Sequence, residues 1–134
     1  MGDSPYSTAI SAWCNAIAEG TRLRSDGDGT QSRDLTYVDN VVQANILAAA
    51  YPDRLNGECF NVGCGTQWSN NDVLHYFKEK YPGIEVYSAP WRPGDVMHTR
   101  ADTNKIRDIL GYKPEVEFWD GLKKTISWWR LDEE

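Results

Sequence analysis

Between Asp26 and Ala50 the chain passes from a two-glycine turn, Asp26-Gly27-Asp28-Gly29, through the β-formers Asp34-Leu-Thr-Tyr-Val38, into the apolar, alanine-rich stretch Val41 to Ala50. Turn, strand and helix thus follow one another within about 25 residues, the span of one compact α/β unit. Asp39 stands where a helix N-cap would, and Tyr51-Pro52 ends the helix, because the proline ring disfavours helical backbone in the residue before it.

The rest of the chain repeats this alternation. Ser4 to Gly20 reads as a helix, with Ala9, Ile10, Trp13, Ala16 and Ile17 on one face and Gly20 as its stop. Glu58 to Val62 is a second short strand, turned by Gly63-Cys-Gly65. Ser69 with Asp72 is a capping-box start for a helix from Asn71 to Lys80, and Ile84 to Tyr87 alternates as a third strand. Asp102 caps a helix through Leu110 closed by Gly111; Gly121 to Arg130 is the last helix, and Leu131 to Glu134 is a frayed tail. No repeat or linker interrupts the 134 residues, so the chain reads as one domain: a small mixed α/β lobe of short strands and about five helices.

No apolar run approaches the roughly 20 residues that span a bilayer, and Met1-Gly-Asp-Ser-Pro5 lacks the basic and apolar regions of a signal peptide. The expected setting is cytoplasmic. Cys14, Cys59 and Cys64 form no C-x-x-C pair, which suits buried small hydrophobes better than a disulfide framework or zinc site. A net charge of −6 argues against nucleic acid and anionic lipid as partners, since both need clustered Lys and Arg. Six Trp and seven Tyr are many for this length; Trp91 and the Trp128-Trp129 pair could line a base or sugar, or serve as core or interface.

Two arginine-aspartate clusters, Ser32-Arg33-Asp34 and Trp91-Arg92-Pro-Gly-Asp95, carry the chemistry. A guanidinium fork matches phosphate oxygens, and a nearby carboxylate can accept from a sugar hydroxyl. Each arginine could instead pair with its own neighbour, Asp34 or Asp95. His98 and Thr99 follow the second cluster and are candidates to hydrogen-bond a ligand. His75 reads as a helix-surface residue, and neither histidine has metal-like spacing. A dinucleotide fingerprint is absent: Gly27-Asp-Gly29 leads into a strand, and after Gly63-Cys-Gly65 the third glycine position is Trp68. Tyr76 and Lys80 share the Tyr-x-x-x-Lys spacing that can activate a phenol, but they sit at the end of an amphipathic helix and read as structural.

Gly27 to Val42, Phe60-Asn-Val-Gly63, Arg92-Pro-Gly-Asp-Val96, Ala101-Asp102 and Leu110-Gly-Tyr-Lys-Pro114 resemble, in order, the C-terminal half of NAD-dependent nucleotide-sugar epimerases and dehydratases, the extended short-chain dehydrogenase/reductases. Within that family Ser4-Pro-Tyr-Ser7, Trp13, Ser32 to Asp34 and Val42 to Ala49 look most like UDP-N-acetylglucosamine 4-epimerases. The resemblance implies a substrate-binding lobe that packs on a Rossmann domain holding NAD, with no cofactor in this chain. It implies that Arg33 and Arg92 clasp the diphosphate, that Asp95 accepts from the ribose, and that Trp13 with Ser25, Asp26 and Gly27 borders the base. Just before that turn, where the family often has an aromatic or aliphatic residue, this chain has Arg24. The catalytic Tyr-Lys pair would lie in the other half, so a nucleotide-diphosphate sugar could be held but not converted. A dehydratase or reductase of the same superfamily, and a non-catalytic binding module, are the alternatives. An apolar face left where the Rossmann half would pack would favour self-association.

Overall fold

The computed structural model describes residues 8–132. In chain order its elements are α1 (Ala9–Glu19), β1 (Leu23–Asp26), β2 (Ser32–Arg33), α2 (Val38–Ala49), β3 (Trp68–Ser69), α3 (Asn70–Lys80), β4 (Val86–Ala89), α4 (Asn104–Leu110) and α5 (Phe118–Trp128). Among the described residues this is the expected mixed α/β lobe, with five helices and short strands. The chain divides into two compact units. One comprises the described parts of Met1–Ser32, Ser69–Met97 and Thr125–Glu134, the other Arg33–Trp68 and His98–Lys124.

In the first unit β1 and β4 pair in parallel, with Leu23 opposite Val86, Arg24 opposite Tyr87, Ser25 opposite Ser88 and Asp26 opposite Ala89. Leu23 and Ser25 point inward while Arg24 is exposed, the alternation a pleated strand imposes. The strand at Leu23–Asp26 was not expected, because Arg, Ser and Asp are weak β-formers; its ladder to β4 creates it. The third strand, expected over Ile84 to Tyr87, is shifted to Val86–Ala89 by the same register.

Helix α1 ends as expected, with Gly20 left-handed at φ 67° and its amide on the Ile17 carbonyl at 3.1 Å. The portion expected from Ser4 to Ser7 lies outside the described residues. Trp13, Cys14, Leu23, Val73, Leu74, Phe77 and Ile126 are this unit's buried apolar side chains, and Trp13 meets the Phe77 ring edge-on at 6.2 Å. Helix α3 carries the expected capping box: Ser69 Oγ accepts from the Asp72 amide at 3.1 Å, and the Asp72 carboxylate accepts from the Ser69 amide at 2.9 Å. Residues 131 and 132 are not a frayed tail. Lys80 holds Asp132 at 2.7 Å and the Tyr81 hydroxyl donates to the Leu131 carbonyl at 3.4 Å.

The second unit corrects two strand expectations. Helix begins at Val38 with Tyr37 as N-cap, so Asp34 to Val38 is not a strand and Asp39 lies in the first turn. Glu58 to Val62 is extended without a ladder, and Phe60 and Val62 instead pack against the cluster of Ala44, Ile106, Leu110 and Tyr112. A strand exists only where a second one pairs with it, and among the described residues none does here. Helix α4 closes on Gly111 at φ 68° as expected; its N-cap is Thr103, while Asp102 accepts from the Asn104 amide at 3.0 Å. Helix α5 starts at Phe118 rather than Gly121.

Polar side chains set the loops of this unit. Asn40, 1% exposed, accepts from the amides of Glu115 and Val116 at 3.0 Å each and donates to the Val116 carbonyl at 2.8 Å. Asp34 accepts from the amides of Cys64 at 2.9 Å, Gly65 at 2.8 Å and Ala101 at 3.1 Å. The Tyr112 hydroxyl donates to the Gly63 carbonyl at 2.9 Å. Cys14 is buried as expected, but Cys59 is exposed and Cys64 half-buried, so burial does not explain all three.

Candidate functional site

The turn after β1 is shaped by what fills its glycines. A β-carbon on Gly27, at φ 63°, would stand 2.1 Å from the Trp91 ring, and one on Gly29, at φ 77°, 2.0 Å from Asn71 Oδ1. Only glycine permits both the left-handed backbone and the close approach. Asn71 then seals the turn to the start of α3, its side chain donating to the Asp28 carbonyl at 3.0 Å and its amide to the Gly29 carbonyl at 3.0 Å. The Thr30 hydroxyl, at 2.6 Å, and the Thr30 amide hold the Asp28 carboxyl below its ordinary pKa.

Asp26 is the centre of the cluster. Its Oδ1 accepts from Arg24 Nε at 2.7 Å, and its Oδ2 forms an ion pair with Arg92, 2.7 Å from Nε. Both guanidiniums are about half exposed, whereas the Asp26 side chain is largely covered. The backbone beneath is fixed: the Gly27 amide donates to the Ala89 carbonyl at 2.8 Å, and Gln31 Nε2 to the Asp26 carbonyl at 2.9 Å. Trp91, partly exposed, lies with its ring on Gly27, beside these charges.

Of the expected site residues, the first unit holds Trp13, Ser25, Asp26, Gly27, Arg92 and Asp95, and the second holds Arg33, His98 and Thr99. The structure brings Asp26 and Arg92 directly together, with Gly27 adjoining. Arg92 therefore has Asp26 as an acid partner, a contact across 66 positions that neighbouring-residue logic could not supply. Asp95 closes the Pro93-Gly94 turn, its amide on the Arg92 carbonyl at 3.1 Å. Ser25 is buried below the turn, and Trp13, 2% exposed, donates its indole N–H to the Arg24 carbonyl at 2.7 Å. In the second unit the Thr99 carbonyl accepts from Gln67 Nε2 at 3.2 Å, and His98 is exposed. Asp34, read as an alternative partner for Arg33, has both carboxylate oxygens on backbone amides.

The Arg24–Asp26 ion pair and the Trp91–Gly27 packing are the features of this cluster that reading from sequence missed. Their only signal was Arg24 itself, a charged residue where the resembled family often carries an apolar one. Trp128 and Trp129 stack on each other edge-on at 5.6 Å. Lys80 is committed to Asp132, which raises its pKa, so the Tyr76–Lys80 spacing is structural. His75 is on the surface of α3, 3.2 Å from Glu79. Among the described residues no group of His, Cys, Asp and Glu could hold a metal ion, and no helix is long and apolar enough to cross a membrane.

The family model described as GDP-mannose 4,6 dehydratase matches residues 3–125. A UDP-glucose 4-epimerase of Mycolicibacterium smegmatis is 32% identical over 90% of this chain and 38% of its own length. Among solved structures, UDP-glucuronic acid 4-epimerase from Bacillus cereus, in complex with UDP-glucuronic acid and NAD, superposes with a TM-score of 0.85 at 27% identity, covering 93% of this chain and 40% of that one. UDP-N-acetylglucosamine 4-epimerase from Methanobrevibacter ruminantium M1, in complex with UDP-N-acetylmuramic acid, gives 0.84 at 30% identity, covering 97% and 41%. The chain thus spans about two fifths of the length of the relatives it matches.

Proposed function

Because the chain belongs to the family described as GDP-mannose 4,6 dehydratase, we propose that it is the substrate-binding part of an NAD-dependent nucleotide-sugar 4-epimerase, with a UDP-sugar as ligand. The observation that carries this is the half-exposed Arg92 guanidinium, held by Asp26 beside a partly exposed Trp91. A cation positioned next to an aromatic face suits a phosphate joined to a base or sugar. In the first unit Arg92 takes the diphosphate and Asp95 the ribose hydroxyls; for Arg33 at the diphosphate, and for His98 and Thr99 at the sugar end, the support is the resemblance alone. Trp13, whose indole holds the Arg24 carbonyl, supports the base side from beneath.

NAD does not fit this chain. A pyrophosphate needs free amides at a glycine turn, and here the Gly27 amide donates to the Ala89 carbonyl and the Cys64 and Gly65 amides donate to Asp34. The role proposed for this chain is therefore binding, with hydride chemistry and the proton-moving Tyr-Lys pair assigned to the part of the relatives' length that it does not match.

That other part has a landing surface. Val38, Val41, Val42 and Ile46 form one exposed apolar stripe on α2, at spacings of three, one and four residues, and a Rossmann half would cover it. Uncovered, the same stripe drives self-association, read by light scattering across a range of concentrations. An exposed free thiol at Cys59 suits a reducing, cytoplasmic compartment.

Calorimetry on the family-length protein tests the assignment. Arg92→Ala and Arg33→Ala are each expected to weaken UDP-sugar binding at least tenfold, with GDP-sugars as the comparison; unchanged affinity in both variants would sink it. The family description itself favours a 4,6-dehydratase as the second reading, and NMR of the product separates the two.

A further inference from the structure

Arg24 takes no part in the assignment above, yet it is half of the charge cluster. Asp26 meets two guanidiniums by their Nε edges, one on each carboxylate oxygen, at 2.7 Å each. The Asp26 side chain is 13% exposed against 48% for Arg24 and 59% for Arg92, so the donors face outward and the acceptor is spent inward. On a chain of net charge −6, two cations thus share one anion, Asp26. Its frame is rigid, since Arg24 lies on β1, Arg92 follows β4, and the two strands are locked in register with Asp26 opposite Ala89.

A guanidinium bound through Nε keeps its Nη donors for a second acceptor, and two such groups spread by one carboxylate suit a ligand with two adjacent anionic centres. We infer that Arg24 is a further phosphate-binding arginine of this site, so that Arg24 and Arg92, splayed by Asp26, both reach the diphosphate. The inference rests on the first unit being the nucleotide end, and it gives a phosphate role to a position where the resembled family often carries an aromatic or aliphatic residue. Asp26 acts as a positioning residue that sets the spacing between the two forks. If Arg24 served only to neutralise Asp26, its loss would change stability and leave anion binding untouched.

The test is calorimetric titration of the full 134-residue chain with inorganic pyrophosphate, then with a UDP-sugar in competition, for wild type, Arg24→Gln, Arg24→Lys and the charge-matched Lys78→Gln on α3. Wild type and Lys78→Gln are expected to bind pyrophosphate alike, Arg24→Gln at least tenfold more weakly, and Arg24→Lys in between, because an ammonium lacks the fork. Arg24→Gln binding like wild type overturns the inference, as does wild type failing to bind pyrophosphate. Should Arg24→Gln fail to fold in a thermal melt, Arg24→Lys decides by the same criterion. Arg24-dependent pyrophosphate binding with which a UDP-sugar does not compete would keep the clamp and reject the nucleotide-sugar reading. UDP-sugar binding that depends on Arg92 but not on Arg24 would do the reverse.

Discussion

The indole of Trp91 rests on the bare backbone of Gly27, where an added β-carbon would stand 2.1 Å from Trp91 Cε2. Gly27→Ala therefore meets both a positive φ of 63° and a ring in its path. The expected outcome is displacement of Trp91 together with the adjoining Arg92, seen as a shifted tryptophan emission and weaker diphosphate binding. Unaltered emission and affinity would show that the turn tolerates a side chain.

Asn40 satisfies two amides and one carbonyl of the Glu115-Val116 segment while almost wholly buried. Asn40→Leu leaves those groups unpaired and is expected to cost about 2–4 kcal/mol of unfolding free energy in urea titrations. Asn40→Asp keeps the acceptor for both amides but sets a buried carboxylate oxygen against the Val116 carbonyl, so it should also destabilise at neutral pH and lose less at acid pH, where the protonated carboxyl can donate. A loss from Asn40→Leu below about 1 kcal/mol would mean that these hydrogen bonds carry little stability.

Asp34 ties three amides from two distant loops to one carboxylate. In Asp34→Ala, hydrogen exchange at Cys64, Gly65 and Ala101 is expected to accelerate more than at the Ile106 and Leu110 amides of α4. Uniform acceleration throughout would indicate global unfolding instead of release of these loops.

Burial pushes the Cys14 thiol up to about 11 and the Tyr81 and Tyr112 hydroxyls up to about 12, from ordinary values of 9.0 and 10.0. Each group holds its proton more tightly folded than unfolded. Its contribution is whole below the ordinary value and is lost as pH rises through the raised one. The melting temperature should stay level up to pH 9.0, fall above it, and fall further through about 12. Cys14→Ala should flatten the first part of that fall, and an unchanged profile would contradict the assignment.

What could be read from the residues was local. Gly20 and Gly111 as left-handed helix ends and the Ser69–Asp72 capping box follow from groups within a few residues of each other, so the structure reproduces them. The site was legible in part. Arg92 and the Asp26-Gly27 turn could be singled out by residue type, but not the ion pair between them, because 66 positions separate its ends.

By itself the sequence determined the glycine-closed ends of α1 and α4, the Ser69–Asp72 cap, the glycine turn and the ordered motifs that place the chain in its family, all of them written in short spans. The tertiary structure alone decided which extended segments became strands and which charges met. Leu23–Asp26 is a strand because β4 lies beside it, while Glu58 to Val62, richer in β-formers, has no partner among the described residues and packs as extended chain. A strand's hydrogen bonds and an ion pair's attraction both depend on a second group brought close by folding, and neither end of the chain encodes that nearness alone.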